Sequence, residues 1–288
     1  LEILSISEVE RIELELTNTC NLECPLCMRQ VDPNIISKTK YRNLEEIKNQ
    51  INDYKNLKYI TIAGPTSEPT LYPDLFKLLQ FLIQKKLEIS LFINGDTHND
   101  LYYKKLGMIF RSAIGKIYFT IAGSTQELHS RYRVNGNLEN VLRRYEIVQK
   151  FSRRAVLTWI VFNYNEKDYK ENIEYFKSKY NMETFYTLPV QEHFLLDSDI
   201  YLPEPMHSNY INQIRRDNSS IQCPSNAYKF HLISSDGSVN NCSLHKLYGD
   251  KHCWECSKDN LSILRYNKIY HLAEPESDTS EIDLKLEK

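Results

Sequence analysis

The sequence predicts an α/β protein built on a partial (β/α)6 TIM-like barrel, followed by a small carboxyl-terminal unit. Three observations carry that expectation. Six short apolar or alternating runs precede residue 190. Amphipathic helical patterns separate most of them, as in repeated strand and helix units. After Tyr201 the repetition stops, and Pro203, Pro205, polar residues and four cysteines replace it. An open doubly wound sheet has the same local signature, but six consecutive units favour an incomplete barrel.

Taken in order, Arg11 to Thr17 (RIELELT) alternates with the two-residue period of a strand and ends at Asn18, Thr19 and Cys20. Leu57 to Ala63, Leu87 to Ile93, Lys116 to Ala122, Ala155 to Phe162 and Glu183 to Leu188 are the next five strands. Between them, Asn43 to Tyr54, Tyr72 to Lys86, Asn99 to Phe110, Leu138 to Phe151 and Glu166 to Lys179 have apolar residues at helical spacing. Residues 1–195 are therefore assigned to the barrel and 196–288 to a linker and second domain, the linker falling near 193–205. A hairpin is expected from Phe230 to Val239 around Asp236-Gly237. The charged tail from Glu274 to Lys288 is expected to be peripheral.

Composition narrows the function classes. With 36 Lys and Arg against 38 Asp and Glu, the formal charge of -2 gives no global field that would draw the chain to nucleic acid or an anionic membrane. No run approaches the roughly 18 apolar residues of a membrane span. Seven cysteines, an odd number, cannot all pair within the chain, and they divide into three and four.

Cys20, Cys24 and Cys27 form Cys-x3-Cys-x2-Cys at the end of the first expected strand. Three thiolates so close in sequence can wrap one face of an iron–sulfur cubane, leaving one iron open; a zinc knuckle or three buried thiols are the alternatives. With Met28 and Arg29 following, the motif resembles that of the radical SAM superfamily. The resemblance spans roughly residues 10–190 and implies a [4Fe-4S] cluster whose open iron binds S-adenosylmethionine. It further implies reductive cleavage to a 5′-deoxyadenosyl radical that abstracts hydrogen from substrate.

Family elements recur at later strand ends. Gly64, Ser67, Glu68 and Pro69 stand in a loop similar to the family's Gly-Gly-Glu-Pro, which contacts the methionine amino group, with Ser67 replacing a glycine. Asn94, in Ile93-Asn94-Gly95, resembles a Thr-Asn-Gly element near the cofactor. Thr120 and Ser124 lie in a stretch similar to Phe-Ser-Ile-Asp-Gly without its aspartate; helix capping is the alternative use of either hydroxyl. Arg133 corresponds to an arginine near cofactor or substrate carboxylate, with a surface ion pair as its alternative, and Asn163 follows the fifth strand. Trp159 sits in an apolar run and is expected in the core.

Cys223, Cys242, Cys253 and Cys256 are separated by 19, 11 and 3 residues. In isolation four thiolates suit structural zinc. Beside the first motif, Cys-x13-Gly-x4-Cys followed by Cys-x2-Cys resembles the shortened SPASM, or twitch, extension that holds a second [4Fe-4S] cluster. If all four are ligands, no cysteine remains as a hydrogen donor, which favours net oxidation or cross-link formation, the auxiliary cluster accepting an electron. If Cys223 is not a ligand, it can donate hydrogen and epimerisation returns.

The resemblance points to a peptide or related natural-product precursor, with an aminoglycoside sugar dehydrogenase as the alternative. A zinc-stabilised interaction protein is the non-enzymatic one. Glu192 and His193, after the sixth expected strand, are candidate acceptors for the proton released in oxidation. A reducing donor such as flavodoxin or ferredoxin is implied. With no leader-binding segment ahead of Leu1, a separate leader-recognition protein, an upstream segment or a small-molecule substrate is expected. Oxygen-sensitive clusters and no secretion signal place the chain in the cytoplasm.

Overall fold

The computed structural model describes residues 5–25, 27–31, 41–63, 66–186 and 230–240. Gly64, Glu192, His193, the linker at 193–205 and all four carboxyl-terminal cysteines lie outside them, as does the side chain of Asn163.

Strands β1 (Arg11–Leu14), β2 (Tyr59–Ile62), β3 (Glu88–Ile93), β4 (Ile114–Ile121), β5 (Ala155–Val161) and β6 (Met182–Tyr186) pair in parallel. Their order in the sheet is their order in the chain, with no reversal. A doubly wound sheet changes direction at a switch point, so the uninterrupted order identifies the partial barrel. The expected hairpin forms between β7 (Phe230–Ile233) and β8 (Val239–Asn240), turning at Gly237 with a positive φ of 85°. Its first strand pairs in parallel with β1, Leu232 opposite Glu13, so residues beyond the boundary placed at 195 extend the sheet. Only distant pairing reveals that partnership, which local periodicity does not carry.

Helices α1 (Met28–Val31), α2 (Leu44–Asp53), α3 (Leu75–Gln84), α4 (Asp100–Phe110), α5 (Gln126–Tyr132), α6 (Leu138–Ser152) and α7 (Glu166–Lys179) occupy the connections. Asn43, Asn99 and Asn137 cap α2, α4 and α6, each accepting backbone amides of the first turn. Two short helices, α1 and α5, escape the periodicity reading because each is too brief to repeat its pattern.

The strand alternation sorts residues between two faces. Ile12, Leu14, Ile60, Ile62, Leu91, Ile117, Phe119 and Leu157 are buried in one continuous core with Leu78, Tyr103, Phe110 and Val148 of the helices. Gly107 lets α4 and α6 approach, since a Cβ there would stand 3.0 Å from Phe151 Cβ and 3.2 Å from Val148 Cα. Trp159 is fully buried, edge-on to Tyr169 and Phe176 of α7, as expected of a core residue. Among the described residues no helix is long and apolar enough to cross a membrane.

Candidate active site

The cysteine loop leaves β1 at its carboxyl end, where every parallel strand of the sheet delivers its following loop. Cys20, Cys24 and Cys27 are thiols, not disulfides, with Cys24 buried and the other two partly so. The Cys27 amide donates to the Cys24 carbonyl at 2.9 Å, and the Leu22 amide to Cys20 Sγ at 3.4 Å. Burial, reinforced by the charges of Glu68 and Cys24, pushes the Cys20 thiol up to about 11. Burial also raises Cys27. Neutral thiols must lose protons before they ligate iron, so loading with a cluster is coupled to proton release.

Three later loops meet this one. After β2, the Glu68 amide donates to the Thr19 carbonyl at 2.8 Å. The Glu68 carboxylate is almost wholly buried: Oε1 accepts from the Thr70 amide and hydroxyl, and Oε2 from the Asn94 amide at 2.7 Å. Burial raises its pKa against the pull of those hydrogen bonds. A carboxylate oxygen has room for two donors, so Oε2 retains one acceptor position. Pro69 opens the short helical turn that Glu68 caps.

After β3, Asn94 Nδ2 donates to Asn21 Oδ1 at 2.7 Å and stands 3.8 Å from Cys20 Sγ. Gly95 takes a φ of 76°, which few side chains tolerate. Asp96 then anchors the loop, accepting Arg144 Nη1 at 2.9 Å, Asn140 Nδ2 at 2.9 Å and the Asn137 amide at 2.7 Å. Its own carbonyl accepts from Asn21 Nδ2 at 2.9 Å. Arg133, at the end of α5, brings Nη1 to 3.9 Å from Cys24 Sγ.

Thr120 and Ser124 lie farther along the rim. The Thr120 hydroxyl accepts from Thr158 Oγ1 at 3.0 Å. Ser124 donates both its amide and its hydroxyl to Asp168 of α7, while its neighbour Thr125 caps α5. Sequence reading missed Asp96, Arg144 and Glu15, because an acid and a base 48 residues apart give no local signal of pairing.

The donor chemistry fits the expected cofactors. Among the described residues no group of three or more His, Cys, Asp or Glu closes tightly enough for a single metal ion. Three thiols within eight residues match the three irons that a cubane leaves for protein ligands. Around them Ser67 Oγ, Arg29 Nε and Arg133 Nε are buried with no partner among the described residues. Buried polar atoms are ordinarily satisfied, and both guanidinium charges act on Cys27, a setting that suits a polar, anionic group beside the thiols.

A family profile described as Radical SAM superfamily matches residues 14–176. The chain belongs to the radical SAM superfamily. That membership makes it an enzyme and carries S-adenosylmethionine and one [4Fe-4S] cluster as its cofactors. Solved structures with a similar fold include Streptococcus suis SuiB bound to S-adenosylmethionine, with a TM-score of 0.59 at 13% identity over 81% of this chain. This chain spans 60% of that protein's length. SuiB bound to its precursor peptide SuiA gives 0.60 at 14% identity, covering 96% of this chain and 69% of the other. Native anSMEcpe with bound AdoMet gives 0.55 at 19% identity, covering 81% and 74%. No curated protein sequence matches the chain.

Proposed function

We propose that this radical SAM enzyme modifies a peptide or related natural-product precursor by hydrogen abstraction, with net oxidation or cross-link formation. The observation that carries the reading is the convergence of three loops on the cysteine motif, Glu68 and Asn94 facing Cys20 and Arg133 facing Cys24. Cys20, Cys24 and Cys27 hold the cluster. Gly64, Ser67, Glu68, Pro69, Asn94 and Arg133 receive S-adenosylmethionine, the spare position on Glu68 Oε2 accepting from its ammonium and Arg133 supplying positive charge. When bound, these cofactors supply the 5′-deoxyadenosyl radical. Thr120, Ser124 and Asn163 complete the ribose side.

The peptide assignment draws on fold likeness to SuiB with SuiA and to anSMEcpe with the Cp18Cys peptide. Cys223, Cys242, Cys253 and Cys256 would hold a second cluster, which would supply the electron acceptor that a net oxidation needs, and Glu192 or His193 would take the proton that the substrate releases. A flavodoxin or ferredoxin supplies the reducing electron, and a separate protein presents the peptide leader.

Anaerobic reconstitution tests this reading. The parent is expected to hold about eight irons and eight sulfides and to release 5′-deoxyadenosine under strong reduction. Cys24→Ala removes about four irons and lowers that release at least about a thousandfold. Reconstitution improves from pH 7 to pH 8.5, because the thiols of Cys20 and Cys27 are held in the neutral form. A fully reconstituted parent that cleaves no S-adenosylmethionine sinks the assignment.

A further inference from the structure

Glu15 follows β1 and is completely buried. Its Oε1 accepts from the Thr66 amide at 3.3 Å and the Thr66 hydroxyl at 2.6 Å. Its Oε2 accepts from the Ser235 amide at 3.1 Å. Because β2 and β7 flank β1 on opposite sides, this one carboxylate ties the loop after β2 to the turn between β7 and β8. Arg29 holds Thr66 from another direction: its Nη1 donates to the Thr66 carbonyl at 3.2 Å and also to the Asn18 carbonyl. Thr66 is therefore held at amide, hydroxyl and carbonyl, immediately before Ser67 and Glu68.

The loop's composition gives these contacts a purpose. Pro65, Thr66 and Ser67 separate Gly64 from Glu68, so the peptide groups beside Glu68 lack the freedom that paired glycines provide. Contacts from outside the loop must then select its conformation. Hydrogen bonds to a buried carboxylate are stronger than neutral ones and directional, and a buried carboxylate is costly unless such donors meet it.

We propose that Glu15, acting through Thr66, is a positioning residue for cofactor binding. It fixes Ser67 and Glu68 against the cysteine loop and couples the loop after β2 to the β7–β8 turn. The inference rests on the proposed assignment of Ser67 and Glu68 to S-adenosylmethionine.

The test compares Glu15→Gln, Thr66→Val and Thr66→Ser with the parent, all reconstituted. Glutamine keeps the volume of Glu15 but turns one acceptor into a donor facing an N–H group. Glu15→Gln is expected to speed amide hydrogen exchange at 66–70 and 235–238 with no cofactor added. It should weaken S-adenosylmethionine binding about tenfold, read from the concentration that perturbs the electron paramagnetic resonance of the reduced cluster, at parental iron content. Thr66→Val shows part of both effects and Thr66→Ser, which keeps the hydroxyl, neither; this pair decides the matter where Glu15→Gln does not fold. Unchanged exchange at 66–70, or faster exchange with parental cofactor affinity, overturns the proposal. A parent that holds its cluster and binds no S-adenosylmethionine sinks the functional assignment itself, and is told apart because no substitution is involved.

Discussion

The rim of the sheet has two halves that use polar residues in opposite ways. After β1, β2 and β3, side chains meet across neighbouring loops, Glu68 spanning to Asn94 and Asn94 to Asn21 and Cys20, while Asp96 is the exception, pinned to Arg144 of α6 behind them. After β4 and β5, they turn toward the helices. Ser124 binds Asp168, Asn172 Nδ2 binds the same carboxylate, and Asn165 Nδ2 donates to the Ala122 and Ile160 carbonyls. The first half is organised around the thiols, whereas the second fastens α7 to the sheet. Helix α5 joins them, with His129 accepting the Ala122 amide at one end and Arg133 reaching Cys24 at the other.

The largest effect expected from breaking this contrast is at the Asp96–Arg144 pair, whose side chains are only 9% and 8% exposed. Asp96→Asn leaves a buried guanidinium without its carboxylate and should cost about 3 kcal/mol in urea unfolding. It should also weaken cofactor binding, since Asn21 and Asn94 lose their anchored loop. Asp168→Ala, on the other half, removes the acceptor of Ser124 and Asn172 and should cost about 1–2 kcal/mol. Its 5′-deoxyadenosine yield per folded molecule should stay within about twofold of the parent. Equal catalytic damage from the two substitutions would erase the distinction between the halves.

The smallest effect concerns the joining helix. Burial, with a further contribution from Arg133, lowers His129 to about 3. The unfolded chain titrates this imidazole near 6.5, so between the two values it binds a proton that the folded chain refuses. Stability is therefore full above about pH 7 and declines as pH falls below 6.5. His129→Asn, whose Oδ1 can take the place of Nδ1 as acceptor for the Ala122 amide, should flatten that decline in urea midpoints measured from pH 8 to pH 5.

The same division governs what could be read in the sequence. Six strands and five long helices were legible because each repeats its period several times. The cysteine loop was legible because its chemistry is concentrated in eight residues. Glu68, Asn94 and Arg133 were legible through their resemblance to the family's motifs, and the structure brings each to the thiol loop. Glu15 and Asp96 were hidden, since their importance lies in partners at least 51 and 41 residues away. Ser124 was legible by motif, but its bond to Asp168 of α7, 44 residues away, was not, because no local pattern links the two.

Trp159 gives the sheet and α7 an optical signal of their own. It is one of two tryptophans in the chain, the other being Trp254, and its indole is packed against Tyr169 and Phe176 with no solvent contact. With Trp254 replaced by phenylalanine, the remaining emission comes from a single apolar site on the scaffold side of the sheet. Its shift to longer wavelength would time the release of α7 separately from any event at the thiols.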